Sequence, residues 1–247
     1  HLSIRRQRQM CIRDSSSESH LHCTGKQEAP RFDESDAGAA RMLLEMQVMF
    51  DVIDCLADFQ SYRLLILPDS ITLDADLKDR LERFLEAGGS LILSGASGMN
   101  ADRTAFALKL RARFEGKLSD YCPDYLRAGR WLDRELVESP FVIYERPYAV
   151  KAAGAEILAE SVLPYFNRAW NHFCSHQHTP YTLERNASYD GLIQDGRILY
   201  FSHPIFRAYY RSGQPLLKYL FRGAMRRLLP EPNVEVSLPS SGRISLM

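Results

Sequence analysis

The segment from Tyr62 to Leu93 limits the fold more than any other. Tyr62 to Leu67 (YRLLIL) is a continuous apolar run closed by Pro68 and Asp69, the pattern of a strand buried on both faces of a parallel sheet. Leu73, Leu77, Leu81, Phe84 and Leu85 then recur at helical spacing, with Asp74 and Asp76 near the start and Gly88-Gly89 as the stop. Ser90 to Leu93 (SLIL) is a second buried run. Strand, helix and strand at this spacing form a βαβ unit, which places the chain in the α/β class.

The rest of the chain extends this unit in both directions. Order is expected to begin near Asp36, where Ser35 or Asp36 can cap a helix carrying Ala39, Met42, Leu43, Met46 and Met49 on one side. That helix leads into a short strand, Phe50 to Ile53. Phe141 to Tyr144, Ala155 to Ala159 and Arg197 to Phe201 also read as strands. Gln214 to Leu229 reads as a closing helix stopped by Pro230 and Pro232. Residues 1–35 are polar and patternless, with Arg5, Arg6 and Arg8 ahead of a Ser15-Ser16-Ser17-Glu18-Ser19 tract. They are expected to be disordered or foreign, since RRQRQMCIRD at 5–14 resembles translated adapter sequence; a basic nucleic-acid-binding arm is the competing reading. The tail alternates Val234, Val236, Leu238 and then Ile244, Leu246, like the opening of a truncated β module. The expected organisation is therefore a segment 1–35, one α/β domain over 36–232, and the start of a β domain over 233–247. The first residue is His1 rather than Met, so a processed chain or a fragment is expected.

Composition narrows the function. The 31 Lys and Arg balance 31 Asp and Glu, so no global positive field draws the chain to nucleic acid or an anionic membrane. No apolar run approaches the roughly 18–20 residues of a membrane span, and no secretory leader is apparent. The five cysteines are odd in number and form no C-x-x-C, so a reducing, cytoplasmic setting is expected.

The turn Ser94-Gly95-Ala96-Ser97-Gly98 follows a buried strand, the position of a nucleophile elbow. It lacks the final Gly of G-x-S-x-G, and the chain shows neither G-x-G-x-x-G nor a P-loop, so the turn reads as structural. The most specific feature is NHFCSHQHTP at 171–180, which puts His172, Cys174, His176 and His178 at alternate positions. In an extended strand they would share one face and suit zinc or copper, yet alternate residues sit about 6–7 Å apart, too far for four ligands to reach one ion without a bend. A ligand-facing or interface role is favoured over metal. Tyr165, Phe166, Trp170, Phe173 and Tyr181 surround the histidines, with Asn167 and Arg168 among them. Aromatic faces beside hydrogen-bonding groups suit sugars and protein interfaces alike. His203, after the Arg197 to Phe201 strand, is a further candidate. No paired carboxylates of a glycosidase are evident, no cofactor is expected, and no catalytic residue is assigned.

Several blocks resemble the β-galactosidase trimerisation-type domain of multidomain glycoside hydrolases related to family 42. They are GAARMLLEMQVMFDVID (38–54), YRLLILPDSITLD (62–74), FLEAGGSLILSG (84–95), YERPYAVKAAGAEILAE, PYFNRAWNHFCSHQHTP and YFSHPIFRAYYRSGQPL. The resemblance implies a flavodoxin-like fold related to class I glutamine amidotransferases, a parallel sheet flanked by helices, with the amidotransferase nucleophile lost. It also implies that the catalytic carboxylates belong to a barrel domain missing from this chain. The domain's own part would be to support a homo-oligomer and help wall a carbohydrate site, with His172, His176 or His178 facing the sugar. Relatives carry a central first strand before the helix at 36–50, and residues 1–35 offer no convincing equivalent. Two alternatives remain: a stand-alone hydrolase or amidotransferase acting through Ser97 or Cys174, and a metal- or sugar-binding module centred on the histidines.

Overall fold

A computed structural model describes residues 10–13, 33–54, 56–231, 236 and 238–243. The strands are β1 (Met10–Arg13), β2 (Asp51–Ile53), β3 (Leu64–Leu67), β4 (Ser90–Ser94), β5 (Ala112–Leu118), β6 (Asp124–Arg127), β7 (Phe141–Ile143), β8 (Tyr148–Ala152), β9 (Glu156–Pro164), β10 (Tyr181–Asp195) and β11 (Ile198–Phe201). The helices are α1 (Glu34–Glu45), α2 (Ala75–Glu86), α3 (Ile205–Ser212) and α4 (Pro215–Leu228). Nine strands form one sheet in the order β2-β1-β3-β4-β11-β10-β9-β6-β7, and β5 pairs with β8 beside it.

The sheet has two characters. From β2 to β11 every pairing is parallel; from β11 to β7 every pairing is antiparallel. The expected all-parallel sheet is thus corrected to a mixed one. The reason is chain connection: β9 and β10 are joined without a helix, and a parallel neighbour needs a crossover of a dozen or more residues, usually helical.

In the parallel half, alternate residues of each strand enter opposite cores. Leu64, Ile66, Ile92, Leu199 and Phe201 pack under α1, α3 and α4 with Met42, Phe206 and Phe221, whereas Leu65, Leu67, Leu91, Leu93 and Tyr200 pack under α2 with Leu77, Leu81 and Phe84. Both faces are covered, which is why YRLLIL and SLIL read as unbroken apolar runs. The βαβ unit forms as expected, with Asp74 capping α2 through the Leu77 amide at 2.8 Å.

Three expectations need correction. A strand does occupy the position between β2 and β3, and Met10–Arg13 supplies it; four residues are too few to carry a periodic signal. Helix α1 is capped by Asp33, which accepts the Ser35 amide at 2.7 Å, rather than by Ser35 or Asp36. The long β10 and the short α3 were not expected as elements. The expectations for Arg5, Arg6, Arg8, the serine tract, Val234, Ile244 and Leu246 fall outside the described residues. Among the described residues no helix is long and apolar enough to cross a membrane.

Candidate functional site

The carboxyl edge of the parallel half is where ligand loops gather in such sheets. Asp69 leaves β3 with a positive φ of 39° and is 4% exposed. Its amide donates to Ser94 Oγ at 2.9 Å, and that hydroxyl donates back to Asp69 Oδ1 at 2.6 Å. The same carboxyl accepts the Arg207 amide at 2.7 Å, so it caps α3. Burial pushes it up to about 6, against the opposing pull of the Ser94 and α3 hydrogen bonds. A Cβ on Gly95 would stand 2.6 Å from the Asp69 carbonyl oxygen, so the turn admits only glycine. Ser97 is fully buried and its Oγ accepts the Ile71 amide at 3.0 Å. The Ser94 and Ser97 hydroxyls both hold the turn together, and Ser97 presents no exposed nucleophile.

His203 lies next to this edge but is completely buried. Its Nε2 is 3.0 Å from Asp124 Oδ2, which also accepts the Tyr189 hydroxyl at 3.2 Å; that hydroxyl is 2.7 Å from Ser119 Oγ. Burial and the Asp124 carboxylate hold the Tyr189 phenol well above its ordinary range. The sugar-facing or interface role expected for His203 is therefore corrected: it joins β6, β10 and β11 inside the protein.

The His-aromatic block forms the connection between β9 and β10. It is bent at 175–178 and makes a bridge between Ala169 and His172, so its alternate residues do not share one strand face. Among the described residues no three His, Cys, Asp or Glu side chains converge as a metal site; the bend does not gather His172, Cys174, His176 and His178, because His172 turns to Phe166 and His178 to Tyr144. His172 stacks on Phe166 with ring centroids 3.8 Å apart. Asn167 is an anchor, donating to the Asp120 carbonyl at 2.7 Å and accepting the Cys122 amide at 3.2 Å. Arg168 donates to the Gln177 carbonyl, tying the loop's two limbs. Cys174 Sγ approaches the His176 and His178 carbonyls, which shapes the bend.

His178 turns inward. Its Nδ1 is 2.9 Å from the Tyr144 hydroxyl, and its ring meets those of Tyr144 and Tyr125 edge-on. Tyr125 donates to the Thr179 carbonyl at 2.6 Å, and burial pushes its phenol up to about 12. His176 and His178, with Tyr125, Tyr181, Phe141 and Gln214, line a cleft of about 620 Å³. No carboxylate lines it, so it can grip a polar ligand between rings but holds no pair of carboxylates of the glycosidase kind. Trp170 (90% exposed), Phe173 and Tyr165 instead face outward from the loop. The structure thus separates the expected residues: His176 and His178 share the cleft, Trp170, Arg168 and His172 lie on the outer loop, Asn167 anchors it, and His203 is elsewhere. Tyr125 and Tyr144 were missed, because they come from β6 and the end of β7, far away in sequence.

Residues 40–121 match the β-galactosidase trimerisation domain family, the one the sequence resembles. The α-L-fucosidase isoenzyme 2 from Paenibacillus thiaminolyticus is 32% identical over 90% of this chain and 33% of its own, with a TM-score of 0.79. A β-galactosidase from Rahnella sp. R3 is 16% identical over 94% of this chain and 32% of its own, with a TM-score of 0.58. A ThuA-like protein from Bacteroides uniformis ATCC 8492 is 12% identical over 92% of this chain and 93% of its own, with a TM-score of 0.57. The last two likenesses concern the fold alone. This chain spans about a third of the length of the two enzymes. No curated protein sequence matches it.

Proposed function

We propose that this chain, with its β-galactosidase trimerisation-type domain, is the non-catalytic assembly domain of a glycoside hydrolase whose catalytic barrel lies outside it. The observation that carries this reading is the 32% identity, sustained over 90% of the chain, to one third of an α-L-fucosidase. The filled elbow at Ser94 to Gly98 and a cleft without carboxylates favour a supporting role over an independent hydrolase. The parallel half runs 2-1-3-4-5 when its strands are numbered in chain order, which supports the flavodoxin-like reading. The higher identity to the fucosidase than to the Rahnella enzyme favours an α-L-fucoside over a β-galactoside as the parent enzyme's substrate. His176 and His178 in the cleft, and the outward aromatic loop, are the parts we assign to the carbohydrate site and the homo-oligomer contact.

The test uses the parent enzyme expressed with its own upstream coding sequence. Sedimentation is expected to give an oligomer, and nitrophenyl α-L-fucoside is expected to be cleaved faster than nitrophenyl β-D-galactoside. The His176→Ala variant should lower turnover or weaken assembly. A monomeric parent whose turnover is unchanged in His176→Ala would remove this reading.

A further inference from the structure

The antiparallel half of the sheet contains a second cleft, lined by none of the histidines. Between the pairs Asn186 with Val162 and Asp190 with Glu160, β10 advances four residues while β9 advances two. A bulge of this kind re-aims side chains and opens the ladder. The opening is a cleft of about 270 Å³ whose polar lining includes Arg127, Lys151, Arg185, Glu160, Asp190 and Ser161. That volume falls just under the roughly 300 Å³ at which drug-sized ligand sites begin, and leaves room for about one sugar-sized ring.

Its chemistry is set by an excess of donors. Three cations face two carboxylates. Arg127 is paired with Glu160, and Lys151 Nζ is 2.8 Å from Asp190 Oδ1, but among the described residues Arg185 has no carboxylate partner. Arg185 donates from Nη2 to the Pro164 and Tyr165 carbonyls, both at 2.7 Å, and from Nη1 to the Tyr121 hydroxyl at 3.2 Å. A guanidinium has five N–H donors, so Nε–H and one Nη1–H remain. Two of the three Lys151 donors also remain. Asp190 has one oxygen on Lys151 and the other on the Ala152 amide at 2.8 Å, so it does not take up this surplus. Ser161, 7% exposed on β9, has a buried hydroxyl without a partner. A buried hydroxyl left unpaired is unfavourable unless something supplies its hydrogen bond.

We infer that this cleft binds a small monoanionic ligand bearing hydroxyl groups, such as an acidic sugar. Its carboxylate lies on Arg185 and Lys151, and a hydroxyl pairs with Ser161. This assignment does not rest on the assembly reading; because Arg185 also ties the Tyr165 carbonyl of the outward loop, Ser161→Ala is the variant that separates binding from oligomer state.

Titration of the 247-residue chain at 0.15 M salt, read by calorimetry or chemical-shift change, tests this with glucuronate, glucose and inorganic phosphate. Glucuronate is expected to saturate with millimolar affinity, at least tenfold tighter than either of the other two. Arg185→Gln should weaken it tenfold or more. Because Arg185 also holds the loop carbonyls, Ser161→Ala is the second variant; it breaks no internal hydrogen bond and should weaken binding three- to tenfold with thermal stability kept. Absence of glucuronate binding, equal binding of glucose or phosphate, or unchanged affinity in Ser161→Ala would each overturn the inference.

Discussion

Asp69 shows how much one buried carboxyl can decide. Its folded pKa, about 6, lies above the ordinary 3.8, so the fold favours the protonated form. Stability from this group is therefore full below about pH 4 and is lost as pH rises through 6. The difference amounts to roughly 3 kcal/mol. Asp69→Asn keeps an oxygen for the Arg207 amide and supplies a permanent neutral group. Urea unfolding from pH 4 to 7 should show the wild type losing about 2–3 kcal/mol relative to the variant, and parallel curves would contradict the burial argument. Glu45 behaves oppositely: burial alone would raise it, but hydrogen bonds from Tyr209, Arg41 and Lys218 outweigh that and hold it at about 2. Its contribution is present above pH 4.5 and declines as pH falls toward 2, so it does not confound the Asp69 window above pH 5. The Asp124–His203 pair gives a second residue-scale prediction. Both side chains are fully buried, so Asp124→Ala leaves the His203 Nε2 without its partner, while the Tyr189 hydroxyl keeps Ser119, and should lower stability by about 1–3 kcal/mol by denaturant midpoint. Sequence reasoning identified His203 as a residue of interest, but its partner Asp124 lies 79 positions away, and no local pattern announces a pairing at that range.

Among the elements, α1 and α3 approach so closely that one hydrogen atom is decisive. A Cβ on Gly38 would stand 2.0 Å from the Phe206 carbonyl oxygen, a main-chain atom that cannot rotate away. Gly38→Ala must separate the two helices and is expected to destabilise by about 3 kcal/mol, despite alanine's better helix propensity. A stabilised variant in thermal unfolding would mean the helices are not packed this way. The elements that were legible share a physical signature. β3, β4 and β11 are buried on both faces and α2 is amphipathic, so composition and period suffice to find them. β10 was not legible because its bulges break the period of two, and Asn186, Asp190 and Gly191 are poor strand formers within it. The histidine block stands out in the sequence, yet its shape was not readable there. It is fixed by distant partners, Tyr144 for His178 and Asp120 for Asn167, rather than by its own spacing.

For the molecule as a whole, the outward aromatic loop is the feature an isolated chain has least reason to carry. Trp170 is 90% and Phe173 68% exposed beside Tyr165 at 51%, an apolar group of side chains that association would remove from water. If the proposed assembly buries them, Trp170 is a built-in reporter. The chain has two tryptophans, and the other, Trp131, is 61% exposed and lies under the Arg227 guanidinium. Trp131→Phe therefore leaves a single emitter on the loop without opening the core. In the isolated 247-residue chain its fluorescence should be quenched by acrylamide about as fully as a free tryptophan. In the parent oligomer the quenching constant should fall severalfold, with emission shifted to shorter wavelength. Equal quenching in both would leave the loop in water after assembly, and the oligomer contact would have to lie on another face. Trp170→Ala separates the remaining cases. With the contact on this loop it should weaken association by about 2 kcal/mol or more, as truncation of a central interface tryptophan does. Dilution of the parent enzyme followed by sedimentation would register that loss as dissociation at some thirtyfold higher concentration.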